Sequence, residues 1–321
     1  MIEAAVRDVS DAARDDVVLP YTVESLSTRG RVVRLGPSID AVLKRHDYPP
    51  AVQKALGEAV TLAILLGSTL KIEGRFQLQT KSGGPISMLV VDFDAPSSFR
   101  ALARYDAEAV AQRGDGDLLG KGHLAFTIET TGLASRYQGV VELDGQGLQA
   151  AAHSYFERSE QITTLVRLAV GESVTAQGAN WRAGGLLAQF LPDSPERRRI
   201  ADLHPGDAPE GVEATIHHLP EDDDWAEANA RAATTEDHEL LDPTLSSERL
   251  LYRLFHDRGV RVTEPTGLYE ACRCSAERID AMLRSFSPEE RRAMIADDGR
   301  IGVTCEFCSV KRIFDPADYG D

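Results

Sequence analysis

Four cysteines are the residues of this chain whose type and spacing point most directly to chemistry. They are Cys272, Cys274, Cys305 and Cys308, which form a C-x-C and a C-x-x-C near the end of a 321-residue sequence that holds no other cysteine. Each short spacer directs two sulfurs toward one point, and the long spacer lets the two pairs fold together. Four thiolates are a complete tetrahedral ligand set for zinc. The sequence therefore predicts one Zn²⁺ per chain, held by these four side chains.

Two other uses of the cysteines are weighed against a metal site. A redox dithiol of the thioredoxin kind needs a strand before its C-x-x-C and a long helix directly after it, but residues 309–314 have the pattern of a strand. Two permanent disulfides need an oxidising compartment. Residues 1–20 contain five acidic residues and no sustained apolar run, so neither a signal peptide nor a transit peptide is expected. We expect a cytoplasmic protein with reduced thiols.

Short elements around the cysteines are predicted to position the four sulfurs. Ser275 is a natural N-cap for a helix after the C-x-C, and Ser287 with Glu290 predicts a capping box for a second helix. A hairpin of residues 300–304 and 309–314 carries the C-x-x-C at its tip. The apolar side chains expected to face inward in this unit are Ile279, Met282, Leu283, Phe286, Met294 and Ile295. So few apolar residues make a marginal core, and loss of the metal is expected to unfold the unit.

The chain before this unit predicts an α+β fold. Alternating polar and apolar residues predict strands, and the turn at residues 82–85 predicts an antiparallel hairpin. Residues 55–70 are apolar nearly all round, which favours a helix held between sheets, and residues 148–163 predict another helix. The predicted strands are residues 31–35, 75–80, 86–91, 123–128, 137–141 and 180–190.

The composition becomes strongly acidic between about Ala201 and Pro243. Only residues 212–219, Trp225 and a few alanines supply apolar anchors, so any structure here depends on packing against a neighbour. A plain acidic linker and a metastable region that docks and releases both fit this composition. Leu250, Leu251, Leu254 and Phe255 then predict a helix after Ser246.

Four regions are therefore expected along the chain. They are an acidic, disordered extension (1–18), a core domain of antiparallel sheets that sandwich a buried helix (19–195), an acidic, metastable linker with helices (196–260) and a zinc-binding thiol-switch domain (261–321).

Charge and motif content argue against several function classes. The formal net charge of −16 repels phosphate backbones, and the short Arg197-Arg198-Arg199 cluster is interpreted as a solvated helix end, so no nucleic-acid role is expected. The apolar run at residues 55–70 is too short to span a bilayer, which excludes a membrane role for it. No Ser/His/Asp constellation or phosphate loop stands out, and His217-His218 is interpreted as a strand end. We do not expect an enzyme.

Thiolates on zinc remain open to oxidation, and disulfides no longer bind the metal. Physical chemistry therefore allows a switch in which an oxidant ejects zinc and melts the C-terminal unit. The alternative is a zinc knuckle that only stabilises the end of the chain.

Several segments resemble the heat shock protein 33 family of redox-regulated bacterial holdase chaperones. Cys272-Arg273-Cys274-Ser275 and Cys305-Glu306-Phe307-Cys308 are similar to that family's zinc signature. The resemblance runs from about Val23 to Asp315 and also involves residues 155–161, 184–192, 239–242 and 250–256.

The resemblance implies an ATP-independent holdase that is inactive in its reduced, zinc-bound form. It implies that oxidation forms the disulfides Cys272–Cys274 and Cys305–Cys308, releases zinc, unfolds switch and linker, and favours a homodimer. The implied partners are unfolding client proteins and, downstream, ATP-dependent foldases. Arg312 departs from the pattern because an aromatic residue is common there, and the acidic extension before about Asp16 is additional. A zinc-stapled binding module active in the reduced state and a thiol oxidoreductase remain alternatives.

Overall fold

The computed structural model describes residues 15–70, 73–114, 116–131, 136–160, 162–175, 178–191 and 223–319. Its strands are β1 (Val17–Val23), β2 (Thr28–Leu35), β3 (Gly74–Ser82), β4 (Ile86–Ala95), β5 (Ser98–Tyr105), β6 (Lys121–Thr130), β7 (Arg136–Asp144), β8 (Thr164–Thr175), β9 (Gly178–Phe190), β10 (Val260–Val262), β11 (Thr266–Gly267), β12 (Tyr269–Glu270), β13 (Ile301–Thr304) and β14 (Lys311–Phe314). Its α-helices are α1 (Pro37–Lys44), α2 (Pro50–Gly67), α3 (Ala107–Arg113), α4 (Gly147–Tyr155), α5 (Asp223–Ala233), α6 (Asp237–Leu241), α7 (Ser247–Phe255), α8 (Ala276–Ser285) and α9 (Pro288–Ala293).

Two six-stranded sheets enclose α2. The first sheet has the order β10-β1-β2-β9-β8, with β11 also paired to β1, and the second has the order β12-β5-β4-β3-β6-β7. Pro50 starts α2 at a position where a missing N–H has no cost. Thirteen of its 18 residues are buried, as expected for a helix with apolar residues on every side. The predicted α+β fold with a helix between antiparallel sheets is confirmed, although β12 pairs with β5 in parallel.

The predicted hairpin of residues 75–80 and 86–91 is confirmed as β3 and β4, with Leu78 opposite Val91. The helix predicted at 148–163 is shorter, because α4 ends at Tyr155 and a π-helical turn, Phe156–Glu160, follows it. The helix predicted at 55–70 begins five residues earlier, at Pro50. Residues 15–18, placed in the extension by the sequence analysis, include the start of β1 at Val17.

Helices α5 to α7 cover the outer face of the first sheet. Trp225 and Ala228 of α5, Leu240 of α6 and Phe255 of α7 are buried in one apolar cluster with Tyr21 and other residues of that sheet. Ser246 starts α7 by accepting a hydrogen bond from the N–H of Arg249. These helices obtain their apolar contacts from the sheet rather than from a core of their own. None of the described helices combines the length and apolarity needed to cross a membrane.

The last unit contains α8, α9 and the β13–β14 hairpin. Its buried apolar cluster consists of Ile279, Leu283, Ile301 and Tyr319, with Ile295, Val303 and Phe314 partly buried against it. Met282 and Met294, both expected to face inward, are 44% and 37% exposed. The prediction for these two methionines is wrong, because α8 buries only Ile279 and Leu283, and α9, which ends just before Met294, buries no residue.

Candidate metal centre

The first cysteine loop is held by a strand on one side and a helix cap on the other. The N–H groups of Tyr269 and Ala271 donate to the carbonyls of Ser97 and Phe99, which anchors the chain just before Cys272. The Ser275 hydroxyl accepts from the N–H of Arg278 at 3.2 Å and starts α8. Alternate side chains of an extended segment lie on the same side, so Cys272 and Cys274 turn toward one point.

The second cysteine loop is the tip of the β13–β14 hairpin. The N–H of Cys305 donates to the Val310 carbonyl at 3.2 Å, and the N–H of Ser309 returns a bond to the Cys305 carbonyl at 2.8 Å. Ser309 has φ +55°, a left-handed conformation that reverses the chain sharply. This turn brings Cys308 back beside Cys305. The strand predicted over residues 309–314 begins two residues later, at Lys311.

The two loops bring all four predicted thiols into one cluster. The Sγ atoms lie within 4.8 Å of one another, with Cys272 and Cys305 3.7 Å apart and Cys274 and Cys308 3.3 Å apart. Four sulfurs bound tetrahedrally to zinc at about 2.3 Å lie about 3.8 Å from each other. The cluster is therefore close to the size that a zinc ion requires. The four soft donors also suit zinc better than a hard cation.

Burial and charge make this cluster unfavourable for thiolates that have no metal. Cys308 is buried, and burial is the main cause that raises the pKa of Cys308 to about 12; the neighbouring thiols add to the rise and a backbone hydrogen bond at Val310 opposes it. Metal binding requires thiolates, so a bound cation would have to offset this cost. Arg312 also lies at the cluster, where its Nη1 donates to Sγ of Cys274 at 3.3 Å. Its Nη2 donates to the Cys274 carbonyl at the same distance.

Core residues that contact the cysteine loops were missed by the sequence analysis. Asp92 on β4 is 1% exposed and binds Arg273, and Arg100 on β5 contacts Phe307. The signal for Asp92 was present, because it is a carboxylate that directly follows the apolar run Met88–Val91 of a buried strand and directly precedes Phe93. Nothing in the local sequence of β5 distinguishes Arg100 from an ordinary exposed arginine.

Some predicted features lie outside the described residues. These are residues 1–14 of the acidic extension, Arg197-Arg198-Arg199, the acidic residues 201–222 and His217-His218. The part of the chain that the structure describes places no other group of three or more histidine, cysteine or acidic side chains where a metal could be held.

The profile of the family described as Hsp33 protein matches residues 16–315 of the chain. The chain belongs to the Hsp33 family. A 33 kDa chaperonin of Caulobacter vibrioides is 43% identical over 309 residues, which cover 94% of this chain and 95% of that protein. A 33 kDa chaperonin of Photobacterium profundum is 33% identical over 304 residues, which cover 95% of this chain and 94% of that protein.

A solved structure has the same fold. The crystal structure of the 33 kDa chaperonin (Hsp33 homolog) from Thermotoga maritima superposes with a TM-score of 0.71 and 18% sequence identity. The match covers 95% of this chain and 96% of that one. The family resemblance predicted from the sequence is therefore confirmed, and membership of the Hsp33 family supports a chaperone role.

Proposed function

We propose that this Hsp33 family member is a redox-regulated, ATP-independent holdase of the cytoplasm. Its reduced form binds one Zn²⁺ through Cys272, Cys274, Cys305 and Cys308 and is inactive. Oxidation converts the four thiolates into two disulfides, releases the metal and uncovers a surface that holds unfolding client proteins. The observation that carries the proposal is the cluster of four thiols within 4.8 Å in a unit with a very small apolar core.

The chemistry of the switch involves only thiolates and an oxidant such as a peroxide. Formation of each disulfide removes two electrons from two thiolates, and one molecule of hydrogen peroxide accepts these electrons with two protons and becomes two waters. Two disulfides therefore consume two peroxides and remove the whole ligand set. The family resemblance supports pairing within the loops, Cys272 with Cys274 and Cys305 with Cys308. The shortest sulfur distances run between the loops, so the pairing must be tested directly.

The size of the unit's core supports unfolding after metal loss. Four buried apolar side chains stabilise it, whereas zinc contributes roughly 10–16 kcal/mol of apparent binding free energy in small zinc-finger peptides. Unfolding would release the segment that leads back to α7. Helices α5 to α7 cover apolar residues of the first sheet, so their release would expose Tyr21, Leu186 and their neighbours. The proposed client surface is this apolar face together with the released helices.

Solubility is compatible with such exposure. A formal net charge of −16 opposes aggregation and so helps the protein to remain soluble while apolar surface is uncovered. The proposal includes a homodimer in the oxidised state and later transfer of clients to ATP-dependent foldases.

Reduced, oxidised and re-reduced samples of the full chain test the proposal. Zinc is measured with a chromophoric chelator, free thiols by titration, and activity as suppressed light scattering of a thermally unfolding enzyme. We expect one zinc and four thiols in the reduced form, neither in the oxidised form, and activity only after oxidation. Peptide mapping should show disulfides within each loop and not between loops. Equal activity in the reduced, zinc-bound form would instead support a zinc-stapled binding module.

A further inference from the structure

Asp92 lies at the centre of the face on which the metal centre docks. Its carboxylate accepts from Nε2 of Gln77 at 2.7 Å and from two nitrogens of Arg100 at 2.6 and 2.8 Å. Both partners belong to the second sheet. A third donor, Nη2 of Arg273, reaches the same Oδ2 atom at 2.8 Å. A carboxylate that is 1% exposed therefore joins the core sheet to the C-terminal unit.

Arg273 is the residue between the two cysteines of the first loop. Besides Asp92, its Nε lies 3.2 Å from Oδ2 of Asp94 as an ion-pair contact. The guanidinium is 23% exposed, so water screens this contact less than it screens a surface ion pair. The first cysteine loop thus inserts its central side chain between two carboxylates of β4.

Phe307 occupies the corresponding position in the second loop, within Cys305-Glu306-Phe307-Cys308. Cζ of Arg100 lies 3.9 Å from the centroid of the Phe307 ring, which is the geometry of a cation–π contact. Arg100 also contacts the Cys272 thiol. One arginine of the core therefore touches both loops and the buried carboxylate that binds Arg273. Glu306 pairs with Arg104 at 2.8 Å, but both side chains are more than half exposed and contribute little.

We propose that Asp92 and Arg100 form a docking site on the core that recognises the metal-loaded arrangement of the two cysteine loops. The inference rests on the proposed function, because it names the core residues that keep the switch closed. Arg273 and Phe307 come from separate loops, and a shared metal fixes the distance between them. The site binds both side chains together only while that distance is fixed.

Thermodynamic linkage makes the coupling between zinc binding and docking reciprocal. If the metal favours docking, docking must raise the affinity for the metal by the same factor. Undocking leaves no unpaired buried charge on the core, because Asp92 keeps Arg100 and Gln77 as partners after Arg273 leaves. The core sheet can therefore stay folded in the undocked state.

The test measures zinc affinity by chelator competition in reducing buffer, without any oxidant. Arg273→Gln and Asp92→Asn are made singly and together, and Phe307→Leu removes the ring without changing Asp92. Each single variant is expected to weaken zinc binding about tenfold, the scale of a buried charged hydrogen bond for Arg273 and Asp92 and of a partly desolvated cation–π contact for Phe307. The double variant should bind zinc as tightly as whichever single variant binds it less tightly, because both changes break the same contact. Hydrogen exchange at Tyr269 and Ala271, whose N–H groups donate to the carbonyls of Ser97 and Phe99, should accelerate in parallel.

Two controls preserve the docking site. Arg284→Gln breaks an exposed ion pair with Asp280 within the metal unit, and Arg136→Gln breaks an exposed ion pair with Glu129 on the core sheet. Both should bind zinc as the unchanged protein does. If Arg273→Gln and Phe307→Leu also do so while circular dichroism shows an intact fold, the proposal is wrong. Additive losses in the double variant would overturn it too. Because no oxidant is used, failure here is separate from a failure of oxidised protein to protect a client.

Discussion

Arg34 and Arg182 reach the same helix end from neighbouring strands. Arg34 on β2 donates to the carbonyls of Glu239, Leu240 and Asp242 at 2.7, 3.3 and 3.0 Å. Arg182 on β9 donates to the carbonyl of Leu241 at 2.6 Å. Four consecutive carbonyls at the end of α6 thus receive two buried guanidinium groups. Free carbonyls at a helix C-terminus favour cations, so these contacts hold α6 on the first sheet.

The substitution Arg34→Met is expected to loosen α6. Arg34 is 1% exposed, and although burial and the neighbouring Arg182 lower the pKa of Arg34 to about 10, it stays charged at neutral pH. Its removal leaves three carbonyls without these donors and should cost about 3 kcal/mol in the local opening free energy. Hydrogen exchange at Leu240 and Asp242 measures the change. Arg31→Met, on the same strand but without a bond to α6, should leave these amides unchanged.

Gly184→Ala is expected to displace the same helix by a different route. A Cβ at Gly184 would lie 2.4 Å from the Leu240 carbonyl oxygen, which is backbone and cannot rotate away. Overpacking of this kind costs about 1–3 kcal/mol. The urea midpoint should fall and exchange in α6 should accelerate, whereas Gly267→Ala, with no atom within 4 Å of the new Cβ, should match the unchanged protein. Unaltered exchange in α6 would mean that the helix does not rest on this glycine.

The sequence could predict the features that depend on local pattern. The apolar run of α2, the β3–β4 turn and the cysteine spacing each carry their own signal. The positions of Arg34 and Arg182 depend on which strands become neighbours, and an arginine in a strand usually indicates a solvent-facing side. The two-residue strand β12 exists because β5 offers it carbonyls, so no propensity could reveal it. Met282 fits the apolar spacing of α8, but its exposure depends on how little chain is available to cover it.

Arg312 is expected to stabilise the metal-bound thiolates. Its hydrogen bond to Sγ of Cys274 reduces the negative charge that the sulfur carries, and loss of such an outer partner typically lowers metal affinity about 10–100-fold. Arg312→Gln should therefore lose zinc to a chelator more readily than the unchanged protein does. It should also release zinc at a lower peroxide concentration. Lys311→Gln is the control, because Lys311 is an exposed cation on the same strand. If both variants release zinc alike, the effect belongs to net charge and not to the bond with Cys274.

Glu58 on α2 is expected to destabilise the fold when it is ionised. Burial is the main cause that raises the pKa of Glu58 from 4.5 to about 6, Asp237 adds to it, and Lys54 opposes it. A carboxyl with a raised folded-state pKa stabilises the fold only while it is protonated, and this contribution disappears as the pH rises through about 6. Glu58→Gln should therefore raise the unfolding free energy by about 1–2 kcal/mol near pH 7.5 and change it little near pH 4.5. Urea unfolding at the two pH values measures this difference, with the exposed Glu108→Gln as the control. A gain of equal size at both pH values would show that the charge of Glu58 is not its cause.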